Sequence, residues 1–192
     1  MQEFLVFFRL GLDHITDVNG YDHLLFILTL CAFYNLSQWR NLLILVTAFT
    51  IGHSLTLALS VMNILVAPAE IIEFLIPVTI FLTAIYNIVA RSKGDKKIYL
   101  NYFLALVFGL IHGMGFSNYL RALTDDAGEL LGQLFAFNVG LEVGQLIIVV
   151  IFFAFYALLS VFTKILHREW KLFFSGAGAG ISLILILEQL IG

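Results

Sequence analysis

Residues 41–66 read NLLILVTAFTIGHSLTLALSVMNILV, a run of 26 residues in which His53 is the sole ionisable side chain. About 20 apolar residues suffice for a helix to cross the ~30 Å hydrocarbon layer of a bilayer, so this stretch is read as a transmembrane helix. The rest of the chain has the same texture. It is 61% hydrophobic and 12% charged, with a mean hydropathy of +1.00, outside the range of soluble domains. Apolar stretches near residues 21–38, 41–66, 71–90, 99–120, 130–165 and 172–191 predict about six spanning helices. Their short connections predict one compact all-α membrane domain over residues 1–192. A β-barrel would need alternating segments of about 10 residues, and there are none.

Basic residues set the expected orientation. Arg40, Arg91, Lys93, Lys96, Lys97, Lys164, Arg168 and Lys171 fall on one side of the predicted bundle, leaving Arg9 and Arg121 opposite. The basic side is expected to be cytoplasmic, which puts both termini outside. Most acids collect on the outer side, where they either concentrate cations at the mouth or simply lie in solvent. Residues 1–20 are expected to form an outer-surface amphipathic segment. Met1–Leu12 lacks the basic start, long apolar run and cleavage site of a signal peptide. The single Cys31 excludes an internal disulfide and argues against a thiolate-rich metal site.

Polar groups inside such a sequence are expensive. An ionisable residue at mid-span costs about 2.5–3.5 kcal/mol, so each marks a candidate pathway or site. Asp22 and His23 stand at the entrance of the first span, where Asp22 is read either as a helix cap or as part of a cation-capturing pair. His14 and Asp17 precede them on what reads as a looser, solvated segment. His53 lies about 18 Å from either end of its helix at 1.5 Å per residue, followed by Ser54 and, on the same face, Thr56. His112 sits among Gly109, Gly113 and Gly115, which suit close helix approach. Asn138, Glu142 and Gln145 recur at helical spacing as one polar stripe, with Glu142 the carboxylate deepest in a span. Pro77 removes the hydrogen bond to the carbonyl of Glu73, leaving that acid either interfacial or aimed inward. Asn87 near the inner end suits an exit or a simple interhelical hydrogen bond. Gly176–Gly180 alternates Gly and Ala, a small-residue texture expected of tight packing.

Imidazoles with carboxylate or amide oxygens, and no thiolate, favour Ni²⁺, Co²⁺ or Zn²⁺ over Cu⁺. The expected metal ligands are His23, His53, His112, Glu142 and Asp22. Asn138, Gln145, Ser54, Thr56, Glu73 and His14 are the supporting set.

Four blocks resemble the HupE/UreJ family of hydrogenase and urease accessory membrane proteins. They are Gly20-Tyr21-Asp22-His23-Leu24-Leu25-Phe26, Phe49-Thr50-Ile51-Gly52-His53-Ser54-Leu55-Thr56, Gly109-Leu110-Ile111-His112-Gly113 and Phe137-Asn138-Val139-Gly140-Leu141-Glu142-Val143-Gly144-Gln145. The resemblance implies six or so helices and secondary uptake of nickel or cobalt for metalloenzyme maturation. The family's His-rich first-helix motif carries over to Asp22 and His23, with His14 standing further upstream than in that motif.

The function expected is therefore a permease for a divalent transition metal in the bacterial cytoplasmic membrane. With no nucleotide-binding loop, a membrane potential or proton gradient would drive it. The alternative is an intramembrane zinc hydrolase, with His23, His53 and His112 as ligands, Glu142 as general base and Ser54 polarising a carbonyl. A third reading is an assembly subunit whose polar islands only fix helix packing. Expected partners are the metal ion, membrane lipid, metalloenzyme maturation factors and a second copy of the chain; no feature points to nucleic acid.

Overall fold

The computed structural model describes residues 2–18, 20–90, 98–117, 120 and 130–191. Asn19, Arg91, Lys93, Asp95, Lys96, Lys97, Arg121, Asp125, Asp126 and Glu129 lie outside the described residues, and with them much of the charge used for orientation. Among the described residues all regular structure is helical: α1 (Gln2–Thr16), α2 (Asp22–Ala32), a 3-10 turn (Leu36–Gln38), α3 (Trp39–Val61), α4 (Ala69–Val89), α5 (Ile98–Gly115), α6 (Leu130–Thr163) and α7 (His167–Ile191).

Four segments are long and apolar enough to cross a membrane: Leu36–Val61, which includes α3, then α4, α6 and α7. The span expected at residues 21–38 is different. Helix α2 has 11 residues, about 16 Å, roughly half the hydrocarbon thickness. It ends at Ala32, and a capping box at Asn35 and Gln38 starts the next element, with the Asn35 N–H donating to Gln38 Oε1 at 3.1 Å.

Two parallel helix pairs build the bundle, each sealed by glycines. Helix α3 lies along α5, where a Cβ on Gly52 would strike the Leu106 carbonyl, one on Gly109 the Phe49 carbonyl and one on Gly113 the His53 carbonyl. Helix α1 lies along α6 in the same manner, with Gly11 on the Phe137 carbonyl and Gly140 on the Phe8 carbonyl. In an apolar solvent no hydrophobic force drives helices together, so such backbone contact is what binds them. Residues 1–20, expected to rest on the outer surface, instead place α1 against α6. The sequence pattern misses this because the sealing glycines belong partly to α6, some 130 residues away.

Register then relates α1 to α2. Along α6, Gln133 donates to Glu3 Oε1 at 2.6 Å and Gly144 meets Ile15, so α1 runs with α6. Helix α2 runs against α5: His23 faces His112, Phe26 faces Phe108, and Tyr34 Oη accepts from Asn101 Nδ2 at 2.8 Å. Helix α6 runs against α3, with His53 facing Phe137 at one end and Trp39 and Leu43 sharing a groove with Phe153 and Ala157 toward the other. Helices α1, α2 and α6 therefore share one direction, and α1–α2 is a single passage interrupted between Thr16 and Asp22.

At the basic end Lys171 is buried, donates to the Ala90 carbonyl at 2.9 Å and lies 5.5 Å from the Phe33 ring. It caps the end of α4 and ties α2, α4 and α7 together. Lys164, at φ 53°, turns the chain from α6 into α7. Of the Gly176–Gly180 run expected to pack tightly, Gly178 meets Thr29 of α2, while Gly176 and Gly180 face open space.

Candidate metal centre

The break between α1 and α2 brings four imidazoles together. His14 comes from the last turn of α1, His23 from the first turn of α2, His53 from α3 and His112 from α5. One nitrogen from each of His14, His23 and His53 lies within 4.8 Å of the others. The His112 ring is 5.0 Å from that of His23. His14, expected on a solvated segment, packs 4.6 Å from the His23 ring and 4.0 Å from the Phe116 ring. The α1–α6 glycine contacts carry it there.

Hydrogen bonds set the ring nitrogens. The His112 Nδ1–H donates to the Phe108 carbonyl at 2.8 Å, which leaves Nε2 as a lone pair. His23 Nδ1 lies 3.2 Å from Asp22 Oδ1, the carboxylate–imidazole relay that orients a metal-binding His. The Nε2 atoms of His14, His23, His53 and His112, and Nδ1 of His53, are buried without a hydrogen-bond partner among the described residues. Each unsatisfied buried polar atom costs about 1–3 kcal/mol, so their convergence calls for an occupant. A divalent cation taking imidazole lone pairs fits that donor set. The carbonyl end of α1 adds the negative end of a helix dipole beside it.

The surroundings were not legible as a site in the sequence. Phe26, Phe49, Phe116 and Phe137 wall the imidazoles, with Phe49 and Phe26 each 5.4 Å from His112 and Phe137 stacked 6.2 Å from His53. Singly each Phe reads as core; only the fold shows that they exclude water from the four rings. Asp17 and Asp22 carboxylates both approach Gly20, placing two acids at the break.

The remaining expected residues divide. Asn138 stands beside His53, donates to the Leu134 carbonyl at 2.8 Å, and keeps a buried Oδ1 without a partner among the described residues. Glu142 and Gln145 lie one and two turns further along α6, on its seam with α3. Glu142 Oε1 accepts from Thr47 at 2.7 Å and Gln145 Oε1 from Thr50 at 2.8 Å. Ser54 donates to the Thr50 carbonyl at 2.6 Å and Thr56 to the Gly52 carbonyl at 3.1 Å, so both hydroxyls serve their own helix. Glu73 is exposed and borders a small cavity with Ser60, Met114 and Ser117 near the ends of α3 and α5. Glu73 does not join the histidines.

The sequence profile of the HupE / UreJ protein family matches residues 1–188. The chain belongs to the HupE/UreJ family. That family is associated with nickel and cobalt handling, and the apolar helices place this member in a membrane. No curated protein and no solved structure is significantly similar to it. For this HupE/UreJ protein the imidazole group at the α1–α2 break is thus the place to look for metal.

Proposed function

We propose that the protein is a secondary permease for a divalent transition metal, nickel or cobalt, in the bacterial cytoplasmic membrane. One observation carries the reading: four buried imidazoles meet at an interrupted helix with their Nε2 atoms unpartnered among the described residues. Interrupted helices at membrane depth belong where backbone lines a polar cavity, and transporters use them to present helix ends to ions.

The metal enters past Asp17 and Asp22, binds His14, His23 and His53, with His112 as the next ligand, and leaves toward the basic side. Asp22 orients His23 and Asn138 stands behind His53. Glu142 and Gln145 support the α3–α6 seam. A membrane potential drives the cation, since two inward charges gain about 4.6 kcal/mol per 100 mV. The cargo supplies metalloenzyme maturation.

The hydrolase alternative asks Glu142 and Ser54 to face a zinc-bound water. Glu142 is engaged with Thr47 and Ser54 with its own helix, which favours the permease. The test is flux of Ni²⁺, Co²⁺ and Zn²⁺ into proteoliposomes. Saturable Ni²⁺ or Co²⁺ flux, lost in His53→Ala and His112→Ala, is the expected result. Tight metal binding without flux would overturn it.

A further inference from the structure

The metal centre leaves the basic end of the bundle unexplained. A cavity of about 510 Å³ lies there, between the end of α4 and the start of α7. One wall carries His167, Arg168 and Lys171, and the other Ile88, Val89 and Leu172. Ligand pockets commonly measure about 300–1,000 Å³, so the space suits a small molecule or the polar part of a larger one.

The polar wall holds cations without a counter-ion. Arg168 stands close enough to Lys171 for the two charges to repel. Neither has a carboxylate within ion-pair distance among the described residues. Glu169, the acid nearest in sequence, is turned to the helix start, where its Oε2 accepts the Leu166 N–H at 3.0 Å. Lys171 gives one of its three donors to the Ala90 carbonyl and keeps two. Guanidinium and ammonium groups set together in this way suit a phosphate, which accepts several charge-assisted hydrogen bonds at once.

The other wall is apolar and outward-facing. Val89 is 74% exposed, Ile88 39% and Leu172 38%, and all three belong to α4 or α7, helices apolar enough to cross a membrane. A free phosphate or an acidic peptide would leave that wall without a partner. A phospholipid satisfies both walls, with its phosphate on the cations and an acyl chain along the helices. Basic pockets between spanning helices recognise anionic headgroups on this principle.

We propose that the α4–α7 cavity at the basic end is a site for an anionic phospholipid of the adjoining leaflet. Arg168 and Lys171 hold the phosphate, His167 stands beside them, and the chain lies on Ile88, Val89 and Leu172. The site is separate from the metal centre and does not depend on the permease reading. Lys171 also joins α4 to α2, so a headgroup on it braces the end of the half-length helix that carries His23.

The test is titration of the purified full chain, in neutral detergent, with phosphatidylglycerol or phosphatidylcholine of matched chains, bound lipid being counted by native mass spectrometry. The parent is expected to bind phosphatidylglycerol at least about tenfold more tightly, at about fivefold per cation. Equal affinities would overturn the site. Arg168→Glu removes a cation, adds an anion and suits the start of a helix, so the fold survives it. It is expected to lose at least about tenfold of the phosphatidylglycerol affinity. Arg40→Glu is the control, because Arg40 also stands at a helix start on the basic side, with its guanidinium over Trp39 and outside the cavity. Its affinity is expected to stay within about threefold of the parent, less than one direct cation contact contributes. Equal loss in the two variants would reduce the effect to diffuse surface charge and overturn the site. Displacement of the lipid by equimolar glycerol phosphate or oligoglutamate would overturn the lipid, in favour of a soluble anion or an acidic protein partner. Phosphatidylglycerol is expected to raise the Tm of the parent and not that of Arg168→Glu, and an equal rise in both would overturn the brace.

Discussion

Asp22 holds His23 through a carboxylate oxygen 3.2 Å from the imidazole Nδ1, at the first turn of a half-length helix. The pair has both available roles at once, because Asp22 also places negative charge at the positive end of α2. Outer partners of metal-binding His residues are worth about 10–100-fold in metal affinity. Asp22→Asn is therefore expected to weaken Ni²⁺ binding by about that factor in calorimetric titration, with helix content unchanged. Unaltered affinity would reduce Asp22 to a helix-end charge.

His14 offers a sharper separation of readings, since its sequence context suggests solvent and its packing places it against His23. His14→Ala is expected to lower Ni²⁺ affinity at least about tenfold, the loss of one ligand. His167, at the start of α7 beside Tyr156, is the matched control and its alanine variant is expected to bind as the parent does. Equal affinities for the two variants would remove His14 from the site.

Gly113 packs where a Cβ would strike the His53 carbonyl and the Thr56 hydroxyl. Gly113→Ala must push α3 from α5, and overpacking of this kind costs about 1–3 kcal/mol. A drop in Tm of about 5 °C is expected in detergent, together with weaker Ni²⁺ binding, because His53 and His112 move apart. Gly180→Ala faces open space and is expected to leave both measurements unchanged.

Glu142 tests how far the metal centre extends. Glu142→Gln keeps an acceptor for Thr47, so the α3–α6 seam survives. Ni²⁺ affinity is expected to stay within about threefold of the parent. A loss of tenfold or more, with Thr47→Val showing none, would make the Glu142 carboxylate a ligand.

The sequence by itself determined that the chain is an apolar helical membrane protein of this family, and which side chains are costly enough to matter. Those inferences need only hydropathy, helical spacing and the expense of burying His53, His112 or Glu142, all local properties. What only the tertiary structure decided is where half-length segments go. Residues 2–32 look like a surface segment followed by a span, because nothing local states that Gly11 will seal against Phe137 and Gly178 against Thr29. Those long-range contacts, to backbone at Phe137 and to a side chain at Thr29, seat α1 and α2 separately and leave His14 beside His23. They also leave Glu142 on a different seam, bonded to Thr47 of α3. Composition reports what each residue costs in a bilayer, whereas the meeting of four imidazoles depends on close approach between helices far apart in sequence.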